Sequence, residues 1–452
     1  MPILLLSKSD EIYLQKCGQD LDFAFGIVAG QHAEPEKFVV VHLAKNCDED
    51  EVAMQDGGTE QESQNAPKCI DDIDVSVLSH QWTMAEKMLP GSFRVLGGFV
   101  STKSEINENL FKSAKRILNE IQNILLKAQN YISFVDDVNK NLLFLAYSTT
   151  TNKAMCRFYT HSNNGGTLSP MDCRIVEKPF EWYEFETNYD VEGIYNIVDV
   201  DATTKINIED QFKKLIEETK NELSKSTILF DNDCLLSEEL LENYVKKKKE
   251  NDNISSVKCF YPKIYVFNEI PSVMLNIKTE FKVFGSISSR IWCNPKTSIG
   301  DVKRFICEDI MRSLAARIQV YCDGLTDPNV STDSDFMGEP PRRIYFKLTT
   351  TTNDTPVQFS EYIFRGEAPL VAVAQAKQYL DMEISEENIC KDLERVADED
   401  RLNQSTPDSS YSIANNTEIE KTETKRSVYF WAFLIAFGVL MLSVLLAIYL
   451  GK

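Results

Sequence analysis

HQWTMAEKMLPGSFRVLGGFV, His80–Val100, holds the turn and the strand on which the reading of this chain rests. Pro90 presets its own φ and Gly91 relaxes the next one, so the chain turns there. The aromatic and β-branched run Phe93–Val100 then reads as a strand. A long helix is expected after it, over Ser104–Asn130. Ile106, Leu110, Ala114, Ile117, Ile121 and Leu125 recur there at three- and four-residue intervals, while Lys112, Lys115, Arg116 and Glu120 take the other face. Upstream, Phe23–Ala29 and Phe38–Leu43 are short apolar runs separated by Gly30, Pro35 and acidic residues, the pattern of a hairpin. Downstream, Tyr131–Val135, Leu142–Tyr147 and Ala154–Tyr159 read as strands, with Asn163–Gly166 as a turn.

A polar helix, Ile208–Lys225, leads to a second body. An amphipathic helix is expected at Leu235–Lys249, and its run Lys246–Lys249 reads as a solvated helix end. Strands follow at Lys263–Phe267, Val273–Ile277, Phe281–Ile287 and Ile344–Leu348. One helix interrupts them. Ser298 and Asp301 form a capping-box pattern, and Val302, Phe305, Ile306, Ile310, Leu314 and Ile318 give the buried face of Asp301–Tyr321. A last helix is expected at Leu370–Leu380. Two stretches poor in large apolar residues break the pattern: an acidic loop at 47–74 and an acidic, flexible linker at 385–427. The domains are therefore 1–225 and 226–384, and the class is α+β.

Beyond the linker, Val428–Leu450 is apolar and uncharged. At ~1.5 Å per helical residue it reaches about 34 Å, against about 30 Å of bilayer hydrocarbon. Lys425 and Arg426 precede it, and Tyr429, Trp431 and Tyr449 supply interfacial rings, so a single transmembrane helix is expected at 428–450. Met1–Leu6 is apolar but Lys8, Asp10 and Glu11 follow at once, too soon for a signal peptide. The expectation is a tail-anchored chain with a cytosolic body at the endoplasmic reticulum. The odd count of 11 cysteines, with no CxxC pair, fits free thiols. The Asn-x-Ser/Thr matches at Asn253, Asn329 and Asn353 would then stay unmodified. A net charge of −21, from 69 acidic and 48 basic residues, opposes a nucleic-acid partner.

Chemistry is constrained by what the sequence lacks. The four histidines, His32, His42, His80 and His161, show no metal-ligand spacing, and there is no phosphate loop, dinucleotide fingerprint or GxSxG elbow. No catalytic, cofactor-binding or metal-binding residue is expected, and the chain reads as a non-enzyme. The alternative is a tail-anchored thiol hydrolase or transferase whose cysteine meets a distant histidine in the fold. A membrane-fusion role is disfavoured, because 385–425 carries no apolar heptads.

GIVAGQ (Gly26–Gln31), FVVVHLA (Phe38–Ala44) and the opening segment, followed by a long helix and a C-terminal apolar run, resemble the odorant-response-abnormal protein four family over nearly the whole chain. The aromatic-rich strands and the acidic loop look like a nematode member. The resemblance implies an N-terminal domain related to the MPN (JAMM-like) fold. Active members of that fold hold a zinc through a His-x-His, whereas the equivalent strand here, Val95–Ser101, has no histidine, so a degenerate, non-catalytic version is expected. The resemblance further implies two linked roles: helping a subset of G-protein-coupled receptors, odorant receptors included, to leave the reticulum and reach cilia, and tethering the protease of the ubiquitin-fold modifier to the reticulum membrane. No cofactor follows from it.

Overall fold

In the computed structural model, which describes residues 1–34, 36–47, 67–128, 141–162, 165–177, 180–198, 212–247, 254–260, 277–326, 340–347, 356–391 and 393–394, the N-terminal apolar run is strand β1 (Ile3–Ser7). Ser7 caps helix α1 (Lys8–Asp20) in a reciprocal box with Asp10. The expected hairpin forms from β2 (Phe23–Glu34) and β3 (Lys37–Lys45), with Val28 opposite Leu43. Helix α2 (Val75–Met88), which the sequence reading did not separate from its motif, leads through a turn closed by Phe93 N–H and Pro90 O (2.9 Å) into β4 (Arg94–Thr102). Helix α3 (Glu108–Ala128) follows, four residues later than expected, because the Asn107 side chain accepts from the Asn109 and Leu110 amides and fixes its start. Then come β5 (Asn141–Ser148), β6 (Lys153–Thr160) and β7 (Thr167–Val176).

These seven strands close into a barrel in the order β1-β3-β2-β4-β5-β6-β7. Closure rests on β1, parallel to both β3 and β7, with Leu4 opposite Phe38 on one side and Cys173 on the other. A closed barrel leaves no strand edge open to aggregation. One face of its strands buries Leu6, Val28, Leu96, Phe99 and Leu145 with Leu14 of α1. The other packs Phe25, Val100 and Phe144 against Trp82 of α2 and Phe111, Ile117 and Ile121 of α3. A Cβ at Gly97 would lie 1.8 Å from the Leu143 carbonyl, so glycine alone lets β4 and β5 approach there.

A second sheet, ordered β11-β8-β10-β9, is built from β8 (Tyr183–Val198), β9 (Thr227–Phe230), β10 (Ile254–Phe260) and β11 (Ile277–Cys293). Helix α4 (Lys213–Ser224), the short α5 (Leu241–Lys247) and the long α6 (Ile299–Thr326) belong with it. A boundary at residue 225 passes through this unit. Strand β8 pairs along its length with β11, and Phe212, Leu215 and Leu223 share one apolar cluster with Ile228, Ile287 and Ile306. A third sheet, β13-β12-β14, comprises β12 (Arg342–Phe346), β13 (Phe359–Ile363) and β14 (Ile389–Cys390), with α7 (Leu370–Leu380) at its expected limits. Residues Met1–Val396 form one compact unit.

Two further expectations need correction. The helix read at Leu235–Lys249 begins only at Leu241, because the preceding backbone is engaged by the start of α6: Gly300 N–H donates to Ser237 O (2.9 Å) and Ile299 N–H to Glu239 O (2.8 Å). The linker read from residue 385 starts too early. Ile389 pairs with Phe346 in the third sheet, and Glu394 is buried. Acidic composition signalled a solvated segment there, but Glu394 meets a buried arginine. The strands read at Tyr131–Val135 and Lys263–Phe267, the acidic loop over 48–66, and the apolar run 428–450 lie outside the described residues, as does all of Val273–Ile277 but its last residue. Among the described residues no helix is long and apolar enough to cross a membrane.

Candidate functional site

The Met88–Arg94 turn is held by charge. Gly91 N–H donates to Asp309 Oδ1 (2.7 Å), and the same carboxylate takes both terminal nitrogens of Arg343 at 2.7 and 3.0 Å. Both side chains are wholly buried. Arg343 Nε continues to the Ser360 hydroxyl (2.9 Å). One turn further along α6, Arg312 Nη1 donates to the carbonyls of Leu89, Pro90 and Phe93 at 3.1, 3.2 and 2.9 Å. A Cβ at Gly91 would come within 2.3 Å of the Asp309 amide nitrogen, so this turn accepts only glycine at its contact with α6. The turn inside the opening segment is thus a docking contact between the barrel and α6.

The outer edge of β11, which is buried, is finished by side chains. Ser288, Arg290, Trp292 and Asn294 donate their amides to Glu394, the Tyr345 hydroxyl, the Ser92 hydroxyl and Gln31 at 3.0, 3.3, 3.2 and 2.9 Å. Gln31 Nε2 returns a bond to the Trp292 carbonyl (3.0 Å), and Tyr345 Oη one to Ser288 (2.9 Å). Glu394 also meets both terminal nitrogens of Arg317, one of them at 2.8 Å, and accepts the Arg343 amide at 3.1 Å. Side chains here do what a neighbouring strand would do. The arrangement is built for rigidity: its carboxylates are matched to guanidinium and amide donors, and it presents no activated nucleophile.

The histidines are dispersed. His42 is buried and donates from Nε2 to the Leu380 carbonyl (2.6 Å), and burial pushes its pKa below the usual value. His32 stacks on Phe38, His80 lies 3.2 Å from the Tyr379 hydroxyl, and His161 lies 3.4 Å from that of Tyr159. Cysteines seen to hydrogen-bond reach other acceptors: Cys47 Sγ lies 3.6 Å from Asp381, Cys69 3.2 Å from Asp72 and Cys156 3.6 Å from the Met171 thioether. Burial raises the Cys17 thiol to about 11 and Cys173 to about 12, which leaves little thiolate at neutral pH. β4, the strand that the resemblance would align with the zinc-binding strand of active MPN members, contributes the buried apolar Val95, Leu96, Phe99 and Val100, and these side chains do not fit such a zinc. Among the described residues no three His, Cys, Asp or Glu side chains converge as a metal site.

Glu361 on β13 is a buried carboxyl of another kind. Burial raises it from 4.5 to about 7, opposed by the Tyr362 amide and by Lys87, whose own pKa burial lowers. Its contribution to stability is full below pH 4.5 and is lost as pH rises through about 7. Glu361→Gln is therefore expected to gain on the parent by up to about 3 kcal/mol between about pH 5 and about pH 8. Urea midpoints at the two pH values measure this, and an equal difference at both would contradict it.

A family profile described as ODR4-like, odorant response abnormal 4-like, matches residues 26–391. A Drosophila melanogaster protein named protein odr-4 homolog is 37% identical, with 100% of each chain covered. A Mus musculus protein of the same name is 20% identical over 91% of this chain and 89% of its own. Of solved structures, UfSP from C. elegans overlays with a TM-score of 0.40 and 8% identity, covering 85% of this chain and 57% of that one.

Proposed function

This chain belongs to the odorant response abnormal 4-like family, and from that premise we propose a non-enzymatic adaptor that serves the export and ciliary delivery of a subset of odorant-type G-protein-coupled receptors. In this reading the barrel half is a degenerate MPN-like domain, Val428–Leu450 anchors the chain in the reticulum membrane with the body in the cytosol, and the body holds the ubiquitin-fold-modifier protease there. The observation that carries it is the family match over residues 26–391. The paired carboxylates and raised thiols support it, because they suit a scaffold better than the thiol hydrolase held as the alternative. Tethering raises a partner's local concentration without new chemistry. Depleting the chain from ciliated cells should lower both receptor delivery and membrane-bound protease, and full-length chain should restore both; normal levels of both after depletion would overturn the reading.

Helix α3 offers one place for the protease. Its apolar face is spent on the core, while Lys112 and Arg116 stand outside it, Arg116 in an exposed ion pair with Asp71 at 3.0 Å. Such a pair contributes under about 1 kcal/mol. Charge reversal at Lys112 and Arg116 is expected to leave the melting temperature nearly unchanged and to cut protease recovered on membranes. Undiminished recovery would move the contact to another surface.

A further inference from the structure

Among the described residues Leu236 is the most exposed large apolar side chain, at 73%. It stands in the segment Asp231–Glu242, most of which is irregular yet firmly held. Asp231 and Asn232 adopt left-handed φ values of 46° and 77°, closing a turn across which Phe230 and Asp233 exchange backbone bonds of 2.9 and 2.8 Å. Ser237 and Glu239 carbonyls accept the first amides of α6, and Lys303 Nζ donates to the Leu235 carbonyl at 2.9 Å. Finishing the helix start in this way uses the backbone of Ser237 and Glu239 and asks nothing of the side chain at 236. Leu236 is held out, beside exposed Cys234, with no intramolecular purpose for its exposure.

The surroundings state what would cover it. Asp231–Glu242 contains five carboxylates and no basic residue, and Asp233 and Glu238 are exposed on either side of Leu236. The nearby lysines are turned to partners of their own, Lys246 and Lys247 to Glu242 and Glu239 at 3.5 and 2.7 Å, Lys296 to Glu242 at 2.9 Å and Lys303 to the Leu235 carbonyl, so the exposed charges flanking Leu236 are those of Asp233 and Glu238. An acidic rim disfavours an anionic bilayer surface and favours a protein carrying positive charge. We propose that the turn Cys234–Glu239 is a preorganised docking anchor for a folded protein whose apolar pocket is rimmed by lysine and arginine. A fixed apolar tip loses little freedom on binding, and a charged rim adds steering and selectivity.

The choice of probe rests on the adaptor reading above. Purified full-length chain in detergent is titrated with the ubiquitin-fold-modifier protease, using the parent, Leu236→Asp, Leu236→Met and, as a control at another exposed leucine, Leu370→Asp. Leu236→Asp is expected to weaken binding at least about tenfold, Leu236→Met and Leu370→Asp to stay close to the parent, and parent affinity to fall as salt rises. In a Cys69→Ser/Cys390→Ser background the protease should also shield Cys234 from maleimide. Leu236→Asp binding like the parent overturns the anchor and leaves the adaptor reading standing. A parent chain that does not bind the protease overturns both. Shielding of Cys234 by anionic vesicles in place of the protease assigns the turn to lipid and overturns the proposal as well.

Discussion

Replacing Asp309 by asparagine is expected to destabilise the folded body by about 3–5 kcal/mol, the usual cost of leaving one member of a buried ion pair without its counter-charge. The substitution keeps the side-chain volume and one oxygen for the Gly91 amide. It removes the charge that Arg343 meets at 2.7 and 3.0 Å, and neither residue has solvent access. Whole-domain stabilities are about 5–15 kcal/mol, so the variant should unfold at a far lower urea concentration and accumulate poorly. The double variant Asp309→Leu/Arg343→Met should recover part of the loss, because it removes the orphaned charge together with its partner. A change below about 1 kcal/mol for Asp309→Asn, by urea midpoint at constant slope, would show that water or another carboxylate compensates Arg343.

Local pattern made the helices readable and hid what joins them. The face Val302–Ile318 of α6 was plain from its spacing, and the Ser298–Asp301 cap is present, with the Asp301 amide 3.1 Å from the Ser298 hydroxyl. The second face of the same helix, carrying Asp309, Arg312 and Arg317, has the chemistry of a solvated surface and is buried all the same. Its partners, Arg343, the Leu89–Phe93 carbonyls and Glu394, are remote in sequence, so nothing near α6 announces them. The same holds for barrel closure. Ile3 meets Asp172 across β1 and β7, whereas the apolar run Met1–Leu6 by itself shows only a short hydrophobic stretch. Pro90–Gly91 was legible as a turn, but not as the contact on which Asp309 depends. Motif residues Gln31 and Ser92 belong to the seam that finishes β11, a role that their own segments give no sign of.

Ending the chain at Arg426 is expected to move the protein from the membrane pellet to the soluble fraction almost completely. The premise is the run Val428–Leu450, whose apolar length matches the bilayer and whose flanks carry Lys425, Arg426, Tyr429, Trp431 and Tyr449. Burying a spanning helix of this composition gives effectively irreversible insertion, far beyond what a surface contact of an acidic body supplies. The truncation leaves the compact unit Met1–Val396 whole, Glu394 and its arginines included, so the released protein should melt at the parent's temperature. That separates loss of anchoring from loss of folding. Retention on membranes after a high-salt wash would locate the membrane contact in the body. Under the adaptor reading the soluble form should still bind the protease in solution while leaving it off the membrane, and receptor delivery should fail in step; normal delivery with a soluble chain would show that the receptor role does not require tethering.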